Sequence, residues 1–86
     1  MNKNFTFHCD SGHGWLEVSQ SDLDSAGLKN SHFSAYSYAD GKTLYLEEDS
    51  DASIFIKAFT AKHGEPVFAE NYIDGQSPIR NMSRVS

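Results

Sequence analysis

Hydrophobic and polar residues alternate at the start of the chain, where Phe5, Phe7 and Cys9 are separated by Thr6 and His8. This is the period of a strand with one buried face. Asp10-Ser11-Gly12-His13-Gly14 then supplies two glycines for a turn, and Trp15-Leu16-Glu17-Val18 reads as a second strand. The two runs predict a hairpin. Ser19 followed by Asp22 has the spacing of a helix N-cap with an acid near the positive helix end, and Gly27 supplies the stop. A helix of about two turns is marginal by itself, so Leu23, Ala26 and Leu28 must gain stability from packing.

Between Phe33 and Glu48, two β-rich runs flank Asp40-Gly41, a pair favoured in two-residue hairpin turns. With those two residues as the loop, Ala39 faces Lys42, Ser37 meets Leu44, Ala35 meets Leu46, and Phe33 lies near Glu48. One face then carries Phe33, Ala35, Leu44 and Leu46, and the other carries Tyr36, Tyr38, Thr43, Tyr45 and Glu47. A three-residue loop would invert the parity and redistribute these side chains. Asp49-Ser50-Asp51 offers N-cap candidates for a main helix whose apolar face is Ala52, Phe55, Ile56, Phe59 and His63, with Gly64 at its end. Pro66 opens a last strand, Val67 to Ile73, followed by an Asp74-Gly75 turn and a polar stretch with Pro78, Arg80 and Arg84. The predicted fold is α+β: a small antiparallel sheet of four to five strands, covered by one main and one short helix, in the order ββαββαβ. Residues 1–75 form one domain in this reading, and 76–86 form a polar C-terminal tail.

Composition supports a folded chain rather than a disordered one, since 38% of the 86 residues are hydrophobic and 13% aromatic. Charge narrows the partners. Twelve acidic and seven basic residues give a formal net charge of −5, and between Lys3 and Lys29 the only formal charges are Asp10, Glu17, Asp22 and Asp24. An acidic field repels phosphate backbones, so direct nucleic-acid binding is not expected and a partner with a basic surface is. The single Cys9 allows no internal disulfide, and the Met-Asn-Lys-Asn-Phe start lacks the apolar run of a signal peptide. No stretch approaches a membrane span, so the expected setting is the cytoplasm.

Candidate chemistry is sparse. His8, Cys9, Asp10 and His13 can each bind a transition metal, but neighbouring strand residues point to opposite faces and no second ligand pair is present. No metal or cofactor is expected. A Cys9 nucleophile would need His13, His32 or His63 beside it together with an oxyanion site, and no such signature stands in the sequence. Ser11-Gly12-His13-Gly14 lacks the Lys-Ser/Thr ending of a phosphate loop. Glu47, Glu48, Asp49 and Asp51 lack the loop glycine and terminal glutamate of a calcium-binding EF-hand, and carboxylates there suit a helix start.

Two features remain as binding candidates: the tyrosine face Tyr36, Tyr38 and Tyr45, and the acidic edge Glu47, Glu48, Asp49 and Asp51. Tyrosine offers rigid contact area with a polar tip, and carboxylates steer a basic partner. The competing reading covers the tyrosines with other parts of the chain and makes the acids helix-start charges. A self-complementary version of the face would make a homodimer.

The segments Asp10-Ser-Gly-His-Gly-Trp-Leu-Glu-Val18, Tyr36-Ser-Tyr38 and Leu44-Tyr-Leu-Glu-Glu-Asp49, with Asp51-Ala52 and Pro78-Ile-Arg80, resemble small proteins of bacteriophages and bacterial mobile elements. The resemblance brings no catalytic residue or partner with it and implies a bacterial setting. In that setting the expectation is a non-enzymatic, acidic protein-binding module that inhibits a host defence complex, as anti-CRISPR or anti-restriction proteins do, by blocking a basic surface. The alternatives are a structural homodimer and a minor enzyme or metal protein using Cys9 and the histidines.

Overall fold

The computed structural model describes residues 4–29, 37–48, 50–73 and 83–84. In chain order the elements are β1 (Asn4–Cys9), β2 (Gly14–Ser19), α1 (Gln20–Ser25), β3 (Tyr38–Asp40), β4 (Thr43–Glu47), α2 (Asp51–His63), β5 (Val67–Tyr72) and β6 (Ser83–Arg84). They make one sheet, ordered β5-β1-β2-β4-β3-β6, carrying two helices. The class is α+β.

β1 and β2 form the expected hairpin, with His8 opposite Trp15 and Thr6 opposite Glu17. Its turn is closed by Asp10, which is 6% exposed; its Oδ1 accepts the Gly12 and His13 amides, each at 2.9 Å, and its own N–H donates to the His13 carbonyl. Gly14 is required by close approach. A Cβ there would lie 2.5 Å from Cε1 of Phe7.

Ser19 caps α1 in a reciprocal box: its Oγ accepts the Asp22 amide at 3.0 Å, and Asp22 Oδ2 accepts the Ser19 amide at 2.8 Å. At the other end Gly27 adopts φ +77, its N–H donates to the Asp24 carbonyl, and the Leu28 N–H donates to the Leu23 carbonyl. These two bonds make a Schellman stop, and they fold Leu28 back onto the core beside buried Leu23. Six residues thus form a stable helix because both ends are satisfied locally and Leu23 and Ala26 are buried.

The β3–β4 hairpin departs from the expected register. Tyr38 pairs with Tyr45, Ala39 with Leu44 and Asp40 with Thr43, so the loop is Gly41-Lys42 instead of Asp40-Gly41. Gly41 has φ +62 and, among the described residues, no non-glycine residue has positive φ, the sign pattern of a type II′ turn with glycine first. The slip is two residues, so parity survives: Leu44 and Leu46 still face the core, and Tyr38 and Tyr45 still share the opposite face. The expected pairings of Phe33 and Ala35, and the Asp74-Gly75 turn, lie outside the described residues.

The expected all-antiparallel sheet is corrected at one seam: β5 runs parallel to β1, from Asn4 opposite Val67 to Cys9 opposite Tyr72. α2 is the crossover connection that makes this possible, returning the chain to the far edge. At its end Gly64 takes φ +87 and its N–H donates to the Thr60 carbonyl. Within the stretch expected as a polar tail, Ser83–Arg84 pairs with β3.

The core lies between the sheet and the helices: Phe5, Leu16, Val18, Leu44 and Leu46 from the strands meet Leu23, Ala26, Ala52, Phe55 and Phe59. The Phe5 ring sits edge-on to both Phe55 and Phe59, at 5.4 and 5.2 Å. Burying each of these large side chains contributes roughly 1.5–3 kcal/mol. His63 joins α2 to α1, its ring tilted against that of Phe59 at 5.0 Å and its Nε2 donating to the Ser25 carbonyl at 3.2 Å.

Candidate functional site

Strand alternation puts Leu16 and Val18 under the helices, and so turns Trp15 and Glu17 to the side of the sheet that neither helix covers. Pairing brings neighbours to them: His8 and Thr6 from β1, Tyr45 and Glu47 from β4, and Tyr38 from β3. The face is aromatic and acidic. His13 and Tyr38 flank the Trp15 ring at 6.0 and 6.1 Å, and His8 stands edge-on to Tyr45 at 5.7 Å.

Exposure grades across this face. At one end Trp15 and Glu47 are only 2% and 7% exposed, whereas at the other the Glu17 side chain is 42% exposed. Glu17 Oε1 accepts from His8 Nε2 at 2.7 Å, and His8 Nδ1 accepts from the Asn71 side-chain amide at 3.1 Å. β1, β2 and β5 are thereby tied together by side chains as well as by backbone. Burial, then Glu17 and then Asp40 push the Tyr45 hydroxyl above its ordinary value. Both carboxylates therefore act on the tyrosine as a negative field.

Beside Glu17 a shallow groove of about 390 Å³ opens at the end of the sheet, with Thr6, Ser19, Asp22 and Thr43 on its walls and, among the described residues, no basic one lining it. A groove walled by hydroxyls and two carboxylates suits the head of a lysine or arginine.

The residues expected to bind a partner divide. Tyr38 and Tyr45 are directly opposed and half-buried on the helix-free face, and Glu48 is exposed. Glu47 and Asp51 are 7% and 2% exposed, which removes them from the surface edge on which the sequence places them. Asp51 accepts from Ser37 Oγ, which in turn accepts the Glu47 amide at 2.9 Å. A fully buried serine thus joins the end of β4 to the start of α2. Here the helix-start reading of Asp51 prevails over surface display. Tyr36 and Asp49 lie outside the described residues.

Sequence reasoning does not single out Glu17 or Trp15, and it names His8 only as a metal candidate. The period of β2 puts Trp15 and Glu17 on one face, but their encounter with Tyr45 depends on β2 pairing with β4, which no local signal encodes.

The candidate chemical residues are dispersed. His8 and Cys9 emerge on opposite faces, Asp10 is committed to its turn, and no group of three or more His, Cys, Asp or Glu is gathered for a metal ion among the described residues. Burial first, then the carboxylates of Glu70, Glu48 and Asp10, push the Cys9 thiol above its ordinary value. That is the reverse of what activates a nucleophile. Among the described residues no helix is long and apolar enough to cross a membrane.

Comparison of the chain with protein-family models, with curated proteins and with solved structures returned no match.

Proposed function

We propose that this chain is a small, acidic, non-enzymatic protein-binding module whose helix-free sheet face receives a basic surface of another protein. The observation that carries this reading is the union of the Tyr38–Tyr45 pair with Glu17 at the mouth of an acidic groove. Tyrosines supply contact area at low entropic cost, and partly exposed carboxylates steer and orient a cationic side chain. The net charge of −5 extends that attraction beyond the contact itself. Resemblance to phage and mobile-element proteins makes a basic channel of a bacterial defence complex the target class to test first, and a cytoplasmic site of action follows from that class.

Retention of partners from nuclease-treated bacterial lysate, followed by affinity measurement with the purified partner, tests the reading. Glu17→Lys and Tyr45→Ala are each expected to weaken binding by tenfold or more, about 1.4 kcal/mol, with the fold unchanged. A partner that binds both variants as tightly as the parent chain would overturn it.

A further inference from the structure

Every residue of β5 is exposed, unlike those of the other strands whose side chains are described. Val67, Phe68 and Tyr72 are 59%, 44% and 59% exposed, unusual for large apolar side chains. Among the described residues β5 ends the sheet, with β1 as its hydrogen-bonded neighbour. Its inner edge is satisfied down to Ile73, whose N–H donates to the Cys9 carbonyl at 2.8 Å. The N–H and C=O of a strand residue point to one side and alternate along the strand, so Ala69 and Asn71 face β1 as Ile73 does. Phe68, Glu70 and Tyr72 therefore turn their backbone groups to the open edge. Their side chains share one face too, that of Phe5, opposite which Phe68 sits.

The geometry points to β5 as a strand-addition site for an extended segment of a partner protein that carries a basic residue with an apolar residue two positions to either side of it. Such a segment closes the outward backbone groups of Phe68, Glu70 and Tyr72, as in other edge-strand recognition. A lysine or arginine opposite Glu70 is flanked by apolar side chains against Phe68 and Tyr72, matching charge to charge and ring to aliphatic group. Glu48, Glu70 and Asp10 all act on Cys9, so this end of β1 and β5 carries a concentrated negative charge. Edges are commonly guarded against added strands by lysine; this one presents a single glutamate between two aromatic rings. A second copy is the poorer occupant. The two-fold pairing that sets Phe68 against Tyr72 also sets Glu70 against Glu70 and joins two chains of net charge −5. The site lies on an edge separate from the Tyr45 face and stands without it.

The test uses the isotope-labelled full chain titrated with three short synthetic peptides: one with valine, lysine and valine at every second position and threonine between them, its counterpart with glutamate for lysine, and the lysine peptide N-methylated along one edge. The lysine peptide is expected to slow amide exchange at Phe68, Glu70 and Tyr72 while leaving Asn71 unchanged, and to bind at least tenfold tighter than the glutamate peptide. N-methylation abolishes binding, and Glu70→Lys reverses the charge preference. Absence of binding, equal binding of the N-methylated peptide, or protection away from β5 would overturn the proposal. So would sedimentation of the free chain as a dimer with those three amides already protected, which would assign the edge to a second copy.

Discussion

β4 and β5 belong to one sheet and both carry large apolar residues, yet Leu44 and Leu46 are 1% and 0% exposed while β5 is exposed along its whole length. Coverage makes the difference. Phe55 and Phe59 of α2 lie in one cluster with Leu44 and Leu46, whereas β5 is held by backbone pairing to β1 and by the Asn71–His8 contact. The molecule therefore divides into a covered half that supplies stability and a more exposed side, the β5 edge and the Glu17 end of the Tyr45 face, that can meet other molecules.

The sharpest way to break that division is to truncate one phenylalanine in each half. Phe55→Ala should cost about 3–5 kcal/mol, because a fully buried ring leaves a cavity. Phe68→Ala should cost about 0.5 kcal/mol. Chemical denaturation of both variants checks this, and comparable losses would erase the distinction. Next in size, Ser37→Ala takes one partner from Asp51 and one from the Glu47 amide and should cost about 1–3 kcal/mol. A loss of similar size, about 1–3 kcal/mol, is expected for Gly14→Ala, which drives a methyl into the Phe7 ring; Gly14→Ala combined with Phe7→Leu should recover part of it. The smallest effect is alkaline. The Cys9 and Tyr45 values are raised by folding, so between ordinary and folded values the native state holds more protons than the unfolded chain. Stability therefore falls as pH rises past about 9 for the thiol and about 10 for the phenol. Unfolding midpoints from neutral to alkaline pH should show this decline, with its earlier part absent in Cys9→Ser.

Much of the covered half is legible in the sequence because its signals are local. The Ser19–Asp22 cap, the Gly27 and Gly64 stops and the Ala52–Phe55–Phe59 face each depend on residues within about one turn of one another. The hairpin at Gly41 is half legible: a glycine marks the turn, but one glycine fits more than one turn type, and the choice moves the register by two. What the sequence conceals is long-range. Asp51 and Glu47 read as surface charge, and nothing nearby announces that Ser37 buries itself between them. β5 reads as a strand but not as an edge, and its parallel pairing to β1 follows from the α2 crossover, not from any pattern within Val67–Tyr72. Glu17 is likewise an ordinary outward strand residue until β4 brings Tyr45 alongside.

The most direct test of the division between a folding half and a recognition half is hydroxyl-radical footprinting of the chain alone and in complex with the partner recovered from lysate. Side-chain oxidation is predicted to fall at Tyr38 and Tyr45 and to stay unchanged at Ile54, an exposed apolar residue on α2. Protection of Ile54 with unaltered oxidation of both tyrosines would place recognition on the helical side and contradict the account.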